Sequence, residues 1–210
     1  YSENGWYVSP RKVLTGETYT CKVSVPGYDL MTARTTVPVP TDFDSIVFTD
    51  LVSRGEEGEK ISSIEFRIQN NPAENKSWEV QLITSGWREM YDFDLHDYVT
   101  VFKTEEKYIY MLAGQDSVLL NEPNPLTVFS NKKIKKSSYT AKFYLNERYN
   151  NFSRDEVPYI PIKTVDASFY NYIKQYYLYA MAGGAEIGKG SQKYPLYSNV
   201  TNGLGVFTGV

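Results

Sequence analysis

The sequence predicts a mostly β protein: two β-sandwich-like modules, the first incomplete, with one C-terminal helix packed on the second. Three observations carry this prediction. Aromatic residues make up 15 % of the 210-residue chain, with 19 Tyr, 10 Phe and 3 Trp. Such side chains, together with Val, Ile and Thr, suit a pleated, half-buried surface better than a helix bundle. Apolar and polar residues also alternate with period two in several runs bounded by turn formers, the pattern of strands that bury one face. One stretch alone, Ser168 to Ala182, switches to helical spacing.

The first strand is expected over 17–25, where Glu17, Tyr19, Cys21, Val23 and Val25 alternate with Thr18, Thr20, Lys22 and Ser24. Cys21 is the only cysteine, which excludes an intramolecular disulfide scaffold. Its place in an apolar row makes it a buried filler, since a reactive thiol wants an exposed electropositive setting. Pro26-Gly27 turns the chain and 30–37 returns as the second strand. The run Val37-Pro38-Val39-Pro40 cannot lie mid-sheet, because proline lacks the ladder donor. A domain boundary is therefore placed near residue 41. Residues 1–40 become the C-terminal part of one β module, and 41–210 form a larger β-sandwich-like domain. Some 40 residues are too few for a core of their own, so further strands of the first module are expected upstream of Tyr1. The start at Tyr1, without a leader segment, reads as a processed or truncated product.

In the larger domain, Ile64, Phe66 and Ile68 alternate with Glu65, Arg67 and Gln69. The turn formers of 70–75 follow, and then Trp78, Val80 and Leu82 alternate with Glu79 and Gln81. A hairpin is expected. Further strands are expected over 98–103, 107–113 and 139–145, the last with Tyr139, Ala141, Phe143 and Leu145 on one face. The helix, about 168–182, has Phe169, Tyr172, Ile173, Tyr176 and Ala180 as its apolar stripe, with Tyr170, Tyr177 and Tyr179 partly off it. Asp166 or Ser168 can cap its start, and Gly183-Gly184 can end it. The tail 195–210 is extended, with turns at Gly203, Gly205 and Gly209.

Composition removes several function classes. A net charge of −3 offers no basic face for nucleic acid. No run of apolar residues reaches the roughly 18 needed to span a membrane. One His and one Cys exclude a structural zinc site. His96 would have to serve any Ser-His-Asp or Cys-His arrangement, and it sits in the acidic, aromatic run Tyr91–Asp97. Asp92, Asp94 and Asp97 are oxygen ligands, but the run lacks the turn Gly and terminal Glu of a calcium loop. A solvated loop is the expectation. Glu56, Glu57, Glu105 and Glu106 are candidates for a glycosidase pair, in stretches that resemble solvated surface. Gly183-Gly184, Gly188 and Gly190 lack the lysine and following helix of a phosphate loop. Lys132, Lys133, Lys135 and Lys136 read as a solvated basic tip. Tyr110 and Tyr144 are outward aromatics of the kind that contact sugars or peptides. No catalytic residue, metal or cofactor is expected.

Three stretches in order carry a resemblance. Thr15-Gly16-Glu17-Thr18-Tyr19 runs into Ala33-Arg34-Thr35-Thr36-Val37-Pro38. Val128-Phe129-Ser130-Asn131 precedes a strand at Tyr139. Phe169-Tyr170-Asn171-Tyr172 is followed by Tyr197-Ser198-Asn199-Val200-Thr201-Asn202-Gly203-Leu204-Gly205-Val206-Phe207. Over nearly its whole length the chain resembles the Bacteroidetes lipoprotein family named domain of unknown function 4249. The terminal Ser-Asn-x-x-Asn-Gly-Leu-Gly-x-Phe is the most specific element. The Gly16-x-x-Tyr19 strand start is shared with immunoglobulin-like and transthyretin-like modules.

The resemblance implies a lipoprotein signal with an acylated cysteine, followed by a β-sandwich-like module. It implies the outer membrane or cell surface, reached through a lipid anchor outside this chain; Cys21, inside a strand, is not that cysteine. Genes of such proteins often lie near TonB-dependent receptors, which implies an accessory role in nutrient capture, and the resemblance carries over no catalytic residue. The expected function is a non-enzymatic accessory or ligand-binding partner of a TonB-dependent outer-membrane transporter. The alternatives are a free-standing glycan- or peptide-binding module, and a carboxylate-dependent glycoside hydrolase. The motif residues Asn199, Asn202, Gly203, Leu204, Gly205 and Phe207 are assigned a structural role, with the glycines permitting turns and Leu204 and Phe207 anchoring the end.

Overall fold

The computed structural model describes residues 7–107, 116–119, 128–146, 157–183 and 195–210. Twelve strands and one helix occupy the described residues. In chain order they begin β1 (Thr18–Val23), β2 (Met31–Thr36), β3 (Phe43–Arg54), β4 (Lys60–Gln69), β5 (Ser77–Val80), β6 (Leu82–Asp92) and β7 (Asp97–Lys107). They continue β8 (Val128–Ser130), β9 (Ser138–Asn146), β10 (Val157–Tyr159), β11 (Ile162–Val165), α1 (Ala167–Gly183) and β12 (Val200–Thr201). The protein is mostly β with one helix near the C-terminus, as its composition and periodicity predict.

β1 and β2 pair antiparallel with Cys21 opposite Ala33, around a turn in which Gly27 takes φ 82°. Glycine bears that backbone without a Cβ penalty. β12 adds itself to the free edge of β2, Val200 opposite Ala33, so residues from both ends of the chain share one sheet. Cys21 is half-buried, not buried as expected. Tyr19 and Cys21 are the only β1 side chains with partial cover.

The core lies between two other sheets. β3-β4-β9 forms one and β11-β5-β8 the other. Ile64, Phe66 and Ile68 of β4 and Ala141, Phe143 and Leu145 of β9 face Trp78 and Val80 of β5 and Phe129 of β8, all buried in one cluster. Phe66 stacks on Phe143 at 5.5 Å, and Phe129 reaches across to Phe143 at 5.9 Å.

The hairpin expected from 64–69 and 78–82 is therefore not a hairpin. β4 pairs with β3 and β9, whereas β5 pairs with β11 and β8. The two apolar rows meet face to face across the sandwich instead of edge to edge. The connection is fixed by two buried amides. Asn131 donates to the Asn70 side-chain oxygen (2.9 Å) and the Glu74 carbonyl (2.7 Å), and its own oxygen accepts the Lys76 N–H (3.0 Å). Asn70 donates to the carbonyls of Ile134 and Lys136. Buried amides so fully bonded specify one path for the chain.

α1 covers the outer face of β11-β5-β8. Asp166 caps it, accepting the Phe169 N–H at 2.7 Å, and Thr35 of β2 donates to the same carboxylate. The buried face differs from the stripe expected. Tyr170, with Phe169 and Ile173 beside it, packs on Val128 and Val165, while Tyr176 and Ala180 are exposed. The sheet beneath is only three or four residues long at β8 and β11, so it covers the first turns alone. The strand expected over 107–113 lies, from 108 on, outside the described residues.

Candidate functional site

β5 and β6 are nearly one strand, as are β11 and β10. At the break, the Gln81 N–H donates to the Pro161 carbonyl at 3.0 Å and keeps the ladder closed. Among the described residues, β10 pairs with β6 as far as Ser85. From Gly86 to Asp92, β6 pairs with β7 alone among the described residues, giving a two-stranded ribbon there.

The ribbon turns at Phe93–His96. Asp92 Oδ1 accepts the N–H groups of Asp94 (2.8 Å) and Leu95 (3.1 Å), an Asx turn. His96 takes the left-handed φ of 52° that closes it. Asp97 Oδ1 accepts the Tyr98 N–H at 2.7 Å. The acidic run that sequence offered as a solvated loop or cation site is thus the tip of a hairpin, and Asp92 spends its carboxylate on the turn. Among the described residues no group of three His, Cys, Asp or Glu side chains is placed to hold a metal ion.

One face of the ribbon is aromatic. Trp87 opposes Phe102 and Tyr91 opposes Tyr98, so all four side chains project from one face. The rings of Trp87 and Phe102 meet at 5.4 Å and 73°, those of Tyr91 and Tyr98 at 5.3 Å and 72°, and Phe93 meets Tyr91 at 5.2 Å and 83°. Cross-strand aromatic pairs hold a ribbon together. Yet Trp87 is 64 % exposed, Tyr98 67 % and Phe93 81 %. The opposite face is mixed and partly covered: Glu105 bridges Arg88 (3.4 Å) and Lys103 (2.9 Å), and Met90 stands opposite Val99 on the same face. Sequence reading missed this surface. Its signal was the placement of Trp87 and Tyr91 before the turn at the same distances as Phe102 and Tyr98 after it.

The motif tail lies across the start of α1. Asn199 clasps Phe207 from both sides, donating to its carbonyl (2.7 Å) and accepting its N–H (2.8 Å), and also donates to Ser168 Oγ (3.0 Å). Asn202 donates to the Leu30 carbonyl at 3.2 Å. Gly205 has φ +147°, and a Cβ on Gly203 would sit 2.8 Å from Met31 Sδ. Gly209 is not a turn glycine; a Cβ there would meet the Val37 backbone at 2.9 Å. Leu204 does not anchor the end, being 94 % exposed. It lies at the rim of a groove of about 540 Å³ between Phe169 and Tyr172 of α1 and the tail.

The basic tip divides. Lys132 and Lys133 line a cavity of about 350 Å³ with Tyr170 and Lys174 of α1, while Lys135 and Lys136 are exposed outside it. A third groove, about 220 Å³, follows the Val37–Thr41 linker. Asp and Glu are absent from the described linings of all three. Of the glycosidase candidates, Glu56 and Glu57 lie in the turn after β3, Glu105 is ion-paired, and Glu106 stands opposite Ile83. Tyr144 packs under the Lys142 ammonium at 5.5 Å. Tyr110, Gly184, Gly188 and Gly190 lie outside the described residues.

A β-sandwich with a helix on one outer face, a carboxy-terminal tail clasped to the first sheet and an aromatic ribbon define the class of protein. The chain belongs to the family whose model is described as "Domain of unknown function (DUF4249)", which matches residues 1–210. The family of unknown function expected from the three stretches is the one found. Among curated proteins and among solved structures, nothing matches the chain. No helix among the described residues is long and apolar enough to cross a membrane, which leaves β-barrel spans unaddressed.

Proposed function

We propose that the protein is a non-enzymatic binding protein of the bacterial cell envelope, lipid-anchored at the outer membrane, that docks through its β6–β7 ribbon beside a TonB-dependent transporter. The observation that carries this reading is the aromatic face of the ribbon. Large apolar side chains left in water mark contact surfaces, and Trp, Tyr and Phe are the residues that dominate protein interfaces. The edge-to-face tilt of the ring pairs favours a protein or peptide contact over the coplanar platform that stacks on sugar rings.

The test is affinity capture of the full-length tagged protein from crosslinked outer membranes, compared with the triple variant Trp87→Ser, Phe93→Ser, Tyr98→Ser. The expected result is a TonB-dependent receptor recovered with the natural protein and lost with the variant. Recovery of no barrel protein, or equal recovery with both, overturns the reading.

A further inference from the structure

We propose that the cavity between the Ser130–Lys133 turn and α1 is a binding site for a small oxyanion group: a phosphate, a sulfate or the carboxylate of an acidic sugar. Two distant parts of the sequence build it. Ser130 ends β8, and the chain turns at once through a single 3-10 turn, Asn131–Lys133. That turn is locked from beneath by the buried Asn131 amide, which leaves Lys132 and Lys133 projecting at a fixed place. α1 supplies Tyr170 and, one turn later, Lys174.

Tyr170 is the hub. Its ring is buried, with 5 % of the residue exposed, and ammonium groups flank it, Lys174 at 4.9 Å and Lys132 at 5.7 Å from the ring centre. Its hydroxyl accepts from Lys174 Nζ at 2.9 Å and meets Ser130 Oγ at 3.4 Å. The cation–π geometry holds the two lysine stems along one ring, so less side-chain entropy remains to be lost when an anion arrives. Lys132, Lys133 and Lys174 therefore line one concave space of about 350 Å³ together with Ser130 and Tyr170, large enough for a phosphate or a hexuronate. Ser130, Lys133, Tyr170 and Lys174 also make further interactions within the protein. The assignment rests on the two ammonium groups, of Lys132 and Lys174, held at one ring beside the cavity, because charge-assisted bonds to an oxyanion are the strong ones.

The experiment is an NMR titration of the isotopically labelled protein with inorganic phosphate and, separately, with glucuronate, at fixed ionic strength. Saturable shifts confined to Ser130–Lys133 and Tyr170–Lys174 are expected with one or both, and the tighter probe identifies the oxyanion. The double variant Lys132→Glu, Lys174→Glu should weaken binding about tenfold or more. Lys135→Glu, Lys136→Glu makes the same charge change outside the cavity and should leave it within about twofold. Absence of saturation with both probes, or equal weakening by the two double variants, overturns the proposal. The ribbon variant Trp87→Ser, Phe93→Ser, Tyr98→Ser should bind phosphate as the natural protein does, so failure of the docking reading and failure of this site are separate results.

Discussion

The sandwich and the ribbon each line up large apolar residues on one strand face, and the two faces end in opposite states. In β4 and β9, aromatic and branched residues on alternate positions are fully buried. In β6 and β7, Trp87, Tyr91, Tyr98 and Phe102 share one face with Glu89 and Thr100 between them, and they stand in water. The difference lies in the opposing layer. β11-β5-β8 lies over the first set, while past Gly86 the ribbon has no strand but its own partner among the described residues. Alternation reports that a strand has an apolar face. It does not report what covers that face, and an apolar face left open is where a partner belongs.

The comparison is broken most severely from the sandwich side. Trp78 is fully buried, rests on Phe129 at 5.2 Å and donates its Nε1–H to Thr41 Oγ1 at 3.0 Å. Trp78→Ala empties the largest volume in the core and leaves the Thr41 hydroxyl without that donor. A loss of about 3–5 kcal/mol is expected, seen as a lower urea midpoint for global unfolding. A loss below about 1 kcal/mol, the size of a surface change, would show that the two sheets are not packed through this residue.

The same contrast explains what was legible in the sequence. The apolar faces of β4, β5 and β9 were read residue by residue, because burial imposes a strict period of two. The pairing of β4 and β5 was misread, because a turn-rich connection of this length serves a hairpin or a crossing between sheets equally well. What decided it was Asn131, some 60 positions away from Asn70, and no local pattern shows that. β3 was not anticipated at all: past Phe43, which packs against the core, its residues are exposed, and no period of two marks it. The helix was placed from its period, but the face it buries depends on how far the sheet beneath extends. The tail glycines were recognised, although Gly209 serves close approach and not a turn. In the basic cavity, Lys132 and Lys133 were noted and dismissed, because Lys174 joins them only through the packing of α1 on β8.

A smaller effect separates the sandwich from its surroundings by pH. Tyr139 on β9 donates to Asp116 Oδ2 at 2.6 Å, and that carboxylate also accepts the N–H groups of Val118 and Leu119. Burial, followed by the bond to and charge of Asp116, raises the phenol well above its ordinary range. In the unfolded chain the phenol loses its proton near pH 10, while in the folded protein it keeps it. The contribution to stability is therefore fully present below about pH 10 and is lost as pH rises above that value toward the folded pKa. Tyr139→Phe should flatten this part of the stability curve, measured by urea unfolding at steps from pH 8 upward, about neutral to strongly alkaline. An unchanged alkaline slope would mean that Tyr139 titrates alike in both states.

The smallest change in stability is expected on the ribbon, and there it is the most informative. Trp87 touches Phe102 across the strands and otherwise faces outward, so Trp87→Ala removes a cross-strand pair worth about 1 kcal/mol or less. A two-stranded ribbon is marginal by itself, and its opening does not require the sandwich to open. Global unfolding should therefore keep its midpoint, while amide exchange accelerates between Gly86 and Asp92 and along the facing part of β7, with β4 and β9 unaffected. A midpoint lowered as far as in Trp78→Ala would place Trp87 inside the cooperative core and remove the reason for treating its exposed ring as a contact surface. Faster exchange confined to the ribbon means that the ring stabilises little of the fold beyond the ribbon itself.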